Sequence, residues 1–239
     1  MTAEKLAAQL AEIEAELDNG SYQPGPWERF LVAARSSSAE QRRALEPALT
    51  RVGDKLHLRR QPRTFAVERA LALEALAACG GLAMLAAGAA AGSAPLLSAA
   101  ALVLAIALQP LLKTSTGLVL GIRYSYAYLW KGEPRFKLQY GSYLAAPAWQ
   151  RLLLHASGTL GSPLGCIAVA AVAAASSPTL ATVLVWIVVA HLAFQATLFA
   201  LAAAGKRRVP LLGPLRLTSP GAAGAELRAA LRDREARET

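Results

Sequence analysis

ALALEALAACGGLAMLAAGAAA, residues 70 to 91, runs for twenty-two positions with a single charged side chain, Glu74. A hydrocarbon core of about 30 Å asks for about 20 such residues in a helix, so the stretch reads as a membrane span. APLLSAAALVLAIALQPLLKTST follows at 94 to 116, and further apolar runs at about 149 to 175 and 179 to 204 bring the number of spans to four. The expected fold class is mainly α: a polytopic membrane protein whose backbone polar groups are satisfied inside helices. Composition agrees, since 54% hydrophobic residues in a chain of 239 is more apolar surface than a soluble domain hides from water.

The formal charge of +9 raises the question of nucleic acid, and the placement of the 25 Lys and Arg answers it. Eleven lie in residues 1 to 69, six from Lys113 to Arg151 and eight from Lys206 to Arg237. The connections at Gly92 to Pro95 and Ser176 to Pro178 carry no charge. Basic and neutral loops thus alternate as the positive-inside rule requires, which places both termini in the cytoplasm and the chain in the cytoplasmic (plasma) membrane. Arg59, Arg60 and Arg63 before the first span, and Lys206, Arg207 and Arg208 after the last, lie where anionic headgroups attract cations. The partner expected from charge is the lipid bilayer, with no nucleic acid.

Residues 1 to 64 form a separate cytoplasmic helical region. Leu6, Leu10, Ile13 and Leu17 recur at helical spacing until Asp18-Asn19-Gly20, a second helix begins near Trp27, and Ser38 with Gln41 opens a third as a capping box. The chain opens on polar helix and not on a basic-then-apolar leader, so no cleaved signal peptide is expected. Cys79 and Cys166 both fall in apolar runs, which indicates neither a disulfide framework nor a zinc motif. Residues 65 to 204 make the four-span membrane domain. Residues 205 to 239 make a cytoplasmic tail: Pro210, Gly213, Pro214 and Pro220, then a charged helix from about Ala222 to Arg237, read as peripheral and partly mobile.

Between spans two and three, residues 122 to 143 change period. Tyr124, Tyr126, Tyr128 and Trp130 alternate with Arg123, Ser125, Ala127 and Leu129; Lys131-Gly132-Glu133-Pro134 gives a turn; Phe136, Leu138 and Tyr140 alternate again. That is the signature of a β-hairpin. Lying at the inner interface, it would set its rings among the headgroups as an aromatic belt, or offer Tyr124, Tyr126, Tyr128, Trp130, Phe136 and Tyr140 to a partner. Within the spans, Gly88 with Gly92, and Ser157 with Gly161 and Gly165, make small-residue stripes that let helices approach closely. Pro110 and Pro163 would bend their helices.

Polar side chains inside spans are costly, and six stand out: Glu74, Gln109, Lys113, His155, His191 and Gln195. Gln109 and Lys113 share one helix face, as do His191 and Gln195. A Glu74 to Lys113 ion pair is within reach. The ordinary reading of Lys113 is snorkelling, and of the histidines an interhelical hydrogen bond. The sharper one is a proton or ion path through Glu74, His155 and His191, which four spans without an internal repeat argue against.

The segment from Leu108 to Gly165, LQPLLKTSTGLVLGIRYSYAYLWKGEPRFKLQYGSY continuing through Arg151, Gly158 and Ser162-Pro163, resembles the core of the site-2 intramembrane zinc metalloproteases. The resemblance lies in the order of parts: a metal-binding helix, a Gly, a β-hairpin, then a helix with a Gly-Pro element. Where that family has His-Glu-x-x-His, this chain has Gln109 to Lys113, so both imidazoles and the general-base carboxylate are missing and a cation faces the metal position. No acid occurs between Glu133 and Glu226 to supply the family's third ligand. The resemblance therefore implies a degenerate, non-catalytic relative with no metal and no cofactor: a pseudoprotease scaffold or accessory subunit that binds partner membrane proteins, its hairpin pairing with a partner's edge. The competing expectation is a membrane enzyme or carrier for a lipid-like or small polar substrate, using Glu74, Lys113, His155 and His191.

Overall fold

A computed structural model describes residues 2–130, 133–206, 208–209, 213–215 and 218–238. Lys131 and Gly132 of the expected hairpin turn, with Arg207 and Pro210 of the tail, lie outside the described residues. The chain forms two compact units, one of Met1–Val67 with Leu118–Pro147 and one of Glu68–Gly117 with Ala148–Thr239.

The first unit opens with α1 (Ala3–Asp18), whose first turn is capped by the Thr2 hydroxyl accepting from Lys5 N. Gly20 at φ 73 turns the chain away, and Gly25 at φ 124 starts α2 (Pro26–Arg35) with proline at its first position, where a missing N–H costs nothing. The capping box read at Ser38 and Gln41 is formed in both directions at the start of α3 (Ala39–Ala44). That helix is short, because Pro47 begins another, α4 (Glu46–Leu58), a helix beyond the three expected. Leu6, Leu10 and Ile13 of α1, Trp27, Phe30 and Ala34 of α2, and Leu49 and Val52 of α4 supply the buried core.

The hairpin is present, as β2 (Tyr124–Trp130) and β3 (Glu133–Leu138), but it packs with these helices in the first unit. A two-residue strand before the first span, β1 (Thr64–Phe65), adds a third member in the antiparallel order β1-β2-β3. The register carries a bulge: Tyr124 opposes Leu138 while Tyr126 opposes Lys137. An extra residue reverses which face each later side chain takes. Tyr126 and Tyr128 thus share a face with Lys137 and Arg135, and Tyr124 joins Phe136 on the other, ring centroids 5.9 Å apart. Tyr140 is not in the strand; it opens α7 (Tyr140–Ala145), where Gly141 lies so close to α4 that a Cβ would run into the Glu46 carbonyl oxygen.

In the second unit the four expected spans are helices: α5 (Val67–Ala91), α6 (Ala94–Val119), α8 (Ala148–Ser176) and α9 (Pro178–Ala203). Each is long and apolar enough to cross a membrane. Gly92 at φ 60 closes the α5–α6 turn with Ser93 N donating to Gly88 O at 2.9 Å, so of the expected Gly88–Gly92 pair only Gly88 is a packing contact, against Leu97. Leu97, Ala100, Ala101 and Leu104 of α6 pack with Val169, Ala170 and Ala173 of α8 and Leu184 of α9. Along α8 the close-approach stripe is Gly158, Gly161 and Gly165: a Cβ on Gly161 would strike the Gln109 Cα, and one on Gly165 would come within 2.9 Å of Ala105 N. Ser157, expected in that stripe, instead returns its hydroxyl to Leu154 O on its own helix, and Ser162 bonds across to Ala105 O at 2.7 Å.

The tail departs most from expectation. After a small two-stranded element, β4 (Arg208–Val209) with β5 (Gly213–Pro214), comes α10 (Ser219–Glu238), capped by the Thr218 hydroxyl accepting from Gly221 N. It starts three residues earlier than read, and Pro220, Gly221, Ala223, Gly224 and Glu226 are buried. A Cβ at Gly224 would run into the Phe199 carbonyl oxygen of α9. The tail helix is a packed member of the membrane unit, because small residues let its backbone lie against its neighbours.

Candidate functional site

Around the ends of α6 and α8 the second unit gathers its charged groups. Arg151, His155 and Gly158 recur at four- and three-residue spacing and share a face of α8. Arg151 and His155 are buried, at 4% and 6% exposure. Arg151 Nε donates to Glu226 Oε2 at 2.8 Å, and Glu226 is only 1% exposed. Seven residues earlier on the same face of α10, Ser219 Oγ accepts from Lys113 Nζ at 3.1 Å. A methyl at Gly158 would come within 2.9 Å of Lys113 Cδ, so the lysine stem crosses α8 at its glycine. One tail helix therefore binds a cation from α6 and a cation from α8, two turns apart. The sequence-predicted Glu74–Lys113 ion pair does not form: among the described residues Glu74 has no ion pair, and Lys113 bonds to Ser219.

The other predicted polar residues stand apart. Gln109 has an exposed side chain, while its backbone lies against Gly161 of α8. On α9, Gln195 Nε2 lies 3.1 Å from His191 Nε2, so the pair does share a face; turning the carboxamide over would let His191 N–H donate to Gln195 Oε1. Among the described residues no group of three or more His, Cys, Asp and Glu side chains is placed to hold a metal ion.

Of the six hairpin aromatics, Trp130 alone is exposed, at 45%, beside Leu129 at 45%. Tyr126 and Tyr128 face α4: Tyr126 Oη lies 2.9 Å from His57 Nδ1, and the Tyr128 ring meets the His57 ring edge to face at 4.5 Å. Burial, then the negative charge of Asp54, pushes the Tyr126 hydroxyl up to about 12. Burial, reinforced by the Lys137 and Arg60 charges, lowers His57. Lys137 is itself buried and lowered, its Nζ 3.3 Å from Asp54 Oδ1 and 4.5 Å above the Tyr140 ring, whose edge meets Trp27. The exposed surface of this unit also has a groove of about 350 Å³ between α1 and α2, lined by Glu12, Ile13, Glu16, Arg29 and Phe30 among others.

Sequence reasoning gives no site role to Arg151, Ser219 and Glu226, nor to Asp54, His57 and Lys137. Two signals were available: Arg151 lies inside an apolar run, and Glu226 is the first acid after Glu133, set among Pro220-Gly221-Ala222-Ala223-Gly224-Ala225. Comparison with family models, with curated proteins and with solved structures finds no match. Fold and site together define the class: a mainly helical, multi-pass membrane protein of four spans, with a small three-stranded sheet.

Proposed function

We propose that this chain is a non-catalytic scaffold or accessory subunit of the cytoplasmic membrane, both termini cytoplasmic, that binds partner membrane proteins and derives from a site-2-type core without its zinc. The observation that carries this reading is the use made of the metal-motif positions. The backbone of Gln109 is pressed against Gly161, and the Lys113 ammonium is held by Ser219, so these positions serve helix packing. The buried Arg151–Glu226 pair is likewise spent on seating α10. The exposed Leu129 and Trp130 at the end of β2 offer a partner an apolar contact of the kind that anchors interfaces.

The test is purification in mild detergent, with elemental analysis and native mass spectrometry. The expected result is zinc near zero and a stoichiometric membrane-protein partner that Trp130→Ala releases. Stoichiometric zinc, or cleavage of membrane substrates lost in His155→Ala, would overturn the reading, as would a partner-free monomer under every condition. Topology is read separately: a cysteine placed at Ser93 or Ser177 should be labelled only from the outer side.

A further inference from the structure

Glu74 is a predicted intramembrane residue for which the scaffold reading has no use. It lies seven residues into α5, about 10 Å along the helix axis from Val67, within the reach of the hydrocarbon core. The side chain is 6% exposed, on the face that also carries Ala70, Ala78 and Gly81. Gly81 meets Leu104 and Gly88 meets Leu97, so α5 and α6 run antiparallel and the same register carries Glu74 opposite Leu111. Among the described residues the carboxyl group has neither a hydrogen-bond partner nor an ion pair.

Of the charged groups at that end of the unit, Lys113 and Arg151 are engaged elsewhere. From α6 the group nearest in register is Lys113, whose Nζ donates to Ser219; Thr114 beside it is buried and uncharged. Arg151 of α8 donates to Glu226. On α5 itself, Glu68 and Arg69 stand one to two turns nearer the helix start. A carboxylate left ionised and unpaired at this depth is strongly penalised, whereas the neutral acid is a tolerable guest. Acidic side chains kept inside spans at such cost default to a role in binding or moving charge.

We infer that Glu74 is a proton-binding site inside the membrane: a neutral carboxylic acid whose proton exchanges with bulk water. The ligand is the proton itself, taken up on a carboxylate oxygen and returned with no other bond made or broken.

Hydrophobic dicyclohexylcarbodiimide tests this on the full-length protein in liposomes, because it adds whole to a protonated carboxyl group in an apolar setting. The expected result is an adduct mapped by mass spectrometry to Glu74, its yield lost as pH is raised, and absent in Glu74→Gln. A water-soluble carbodiimide should leave Glu74 unlabelled, and Lys113→Met should leave the yield unchanged. Infrared difference spectroscopy of the wild type gives an answer even if Glu74→Gln does not fold: a protonated-carboxyl band that fades on alkaline titration. No adduct at Glu74 in folded protein, or a yield indifferent to pH, overturns the inference. So does a yield that rises in Lys113→Met, which would mean that the lysine holds Glu74 ionised.

Discussion

Each unit has its own balance of internal contacts, and the two balances differ. The first is built as water-soluble proteins are: Leu6, Leu10, Phe30, Leu49 and Val52 fill a core of large side chains, and the Glu14–Arg51, Glu14–Lys55 and Asp18–Lys55 pairs lie at its surface, with Lys137 beside Asp54 as its buried exception. The second places a series of glycines where its helices cross. Gly158, Gly161 and Gly165 let α8 meet α6, Gly224 lets α10 meet α9, and the Arg151–Glu226 pair is buried where the first unit would place leucine. The difference follows from the solvent. Apolar side chains gain nothing by leaving lipid for one another, so backbone proximity and polar contacts do the joining. In water, removal of apolar area is the main driving force.

The most disruptive way to probe this contrast is Glu226→Ala. It leaves Arg151 buried without its carboxylate, a loss of about 3–5 kcal/mol, and the membrane unit should unfold at markedly lower temperature in detergent. Arg151→Met combined with Glu226→Ala should recover much of that loss, since the uncompensated charge is what costs. A tail that merely lay on the surface would show no change in either variant. Gly161→Ala comes next, at about 1–3 kcal/mol, because its Cβ meets the backbone of Gln109 and not a side chain that can turn aside. Gly80→Ala on α5, with open space at that position, is the matched control and should be neutral within about 0.5 kcal/mol.

What the sequence disclosed, and what it hid, divides along the same line. The spans were legible because length and hydropathy are properties of one segment; their bounds differ from the helices of the structure by about three residues at most. The hairpin was legible because alternation is local, but the bulge at Ser125 was not, and it took Tyr124 to the opposite face from Tyr126 and Tyr128. Nothing in Thr64-Phe65 marks it as a strand; β1 exists because β2 offers it an edge. The docking of α10 was least legible. Its partner Arg151 is 75 residues away in the chain, and a window of Gly, Ala and Pro followed by charge reads equally as a solvated tail. At the candidate site, helical spacing brought His191 and Gln195 together correctly, whereas the Glu74–Lys113 pairing failed because Ser219, from a distant segment, engages the lysine.

Two smaller effects separate the units by pH. His57 is lowered from 6.5 by burial and by the Lys137 and Arg60 charges, so below 6.5 the unfolded chain takes up a proton that the folded one still refuses. Stability of the first unit should therefore be full above 6.5 and decline as pH falls toward the folded value. Trp27 fluorescence, from a 4% exposed ring in that core, follows the transition. His57→Gln should lower the stability and flatten its dependence on pH in this range, while the second unit's unfolding stays unmoved by the variant.

Glu14 should give the smallest effect, with the same sign by a different route. Hydrogen bonds from Arg51 and Lys55 lower its carboxyl from 4.5 to about 2, so its contribution is complete above 4.5 and is lost as pH falls from there through about 2. Both cations are well exposed, and such pairs are weak and screened by salt. Glu14→Gln should thus produce a slight loss at neutral pH and low salt that shrinks as salt is added, whereas Glu226→Ala should be nearly indifferent to salt. If the two variants respond alike to salt, the Arg151–Glu226 pair is open to water, and the contrast between a surface held by ion pairs and an interior held by one fails.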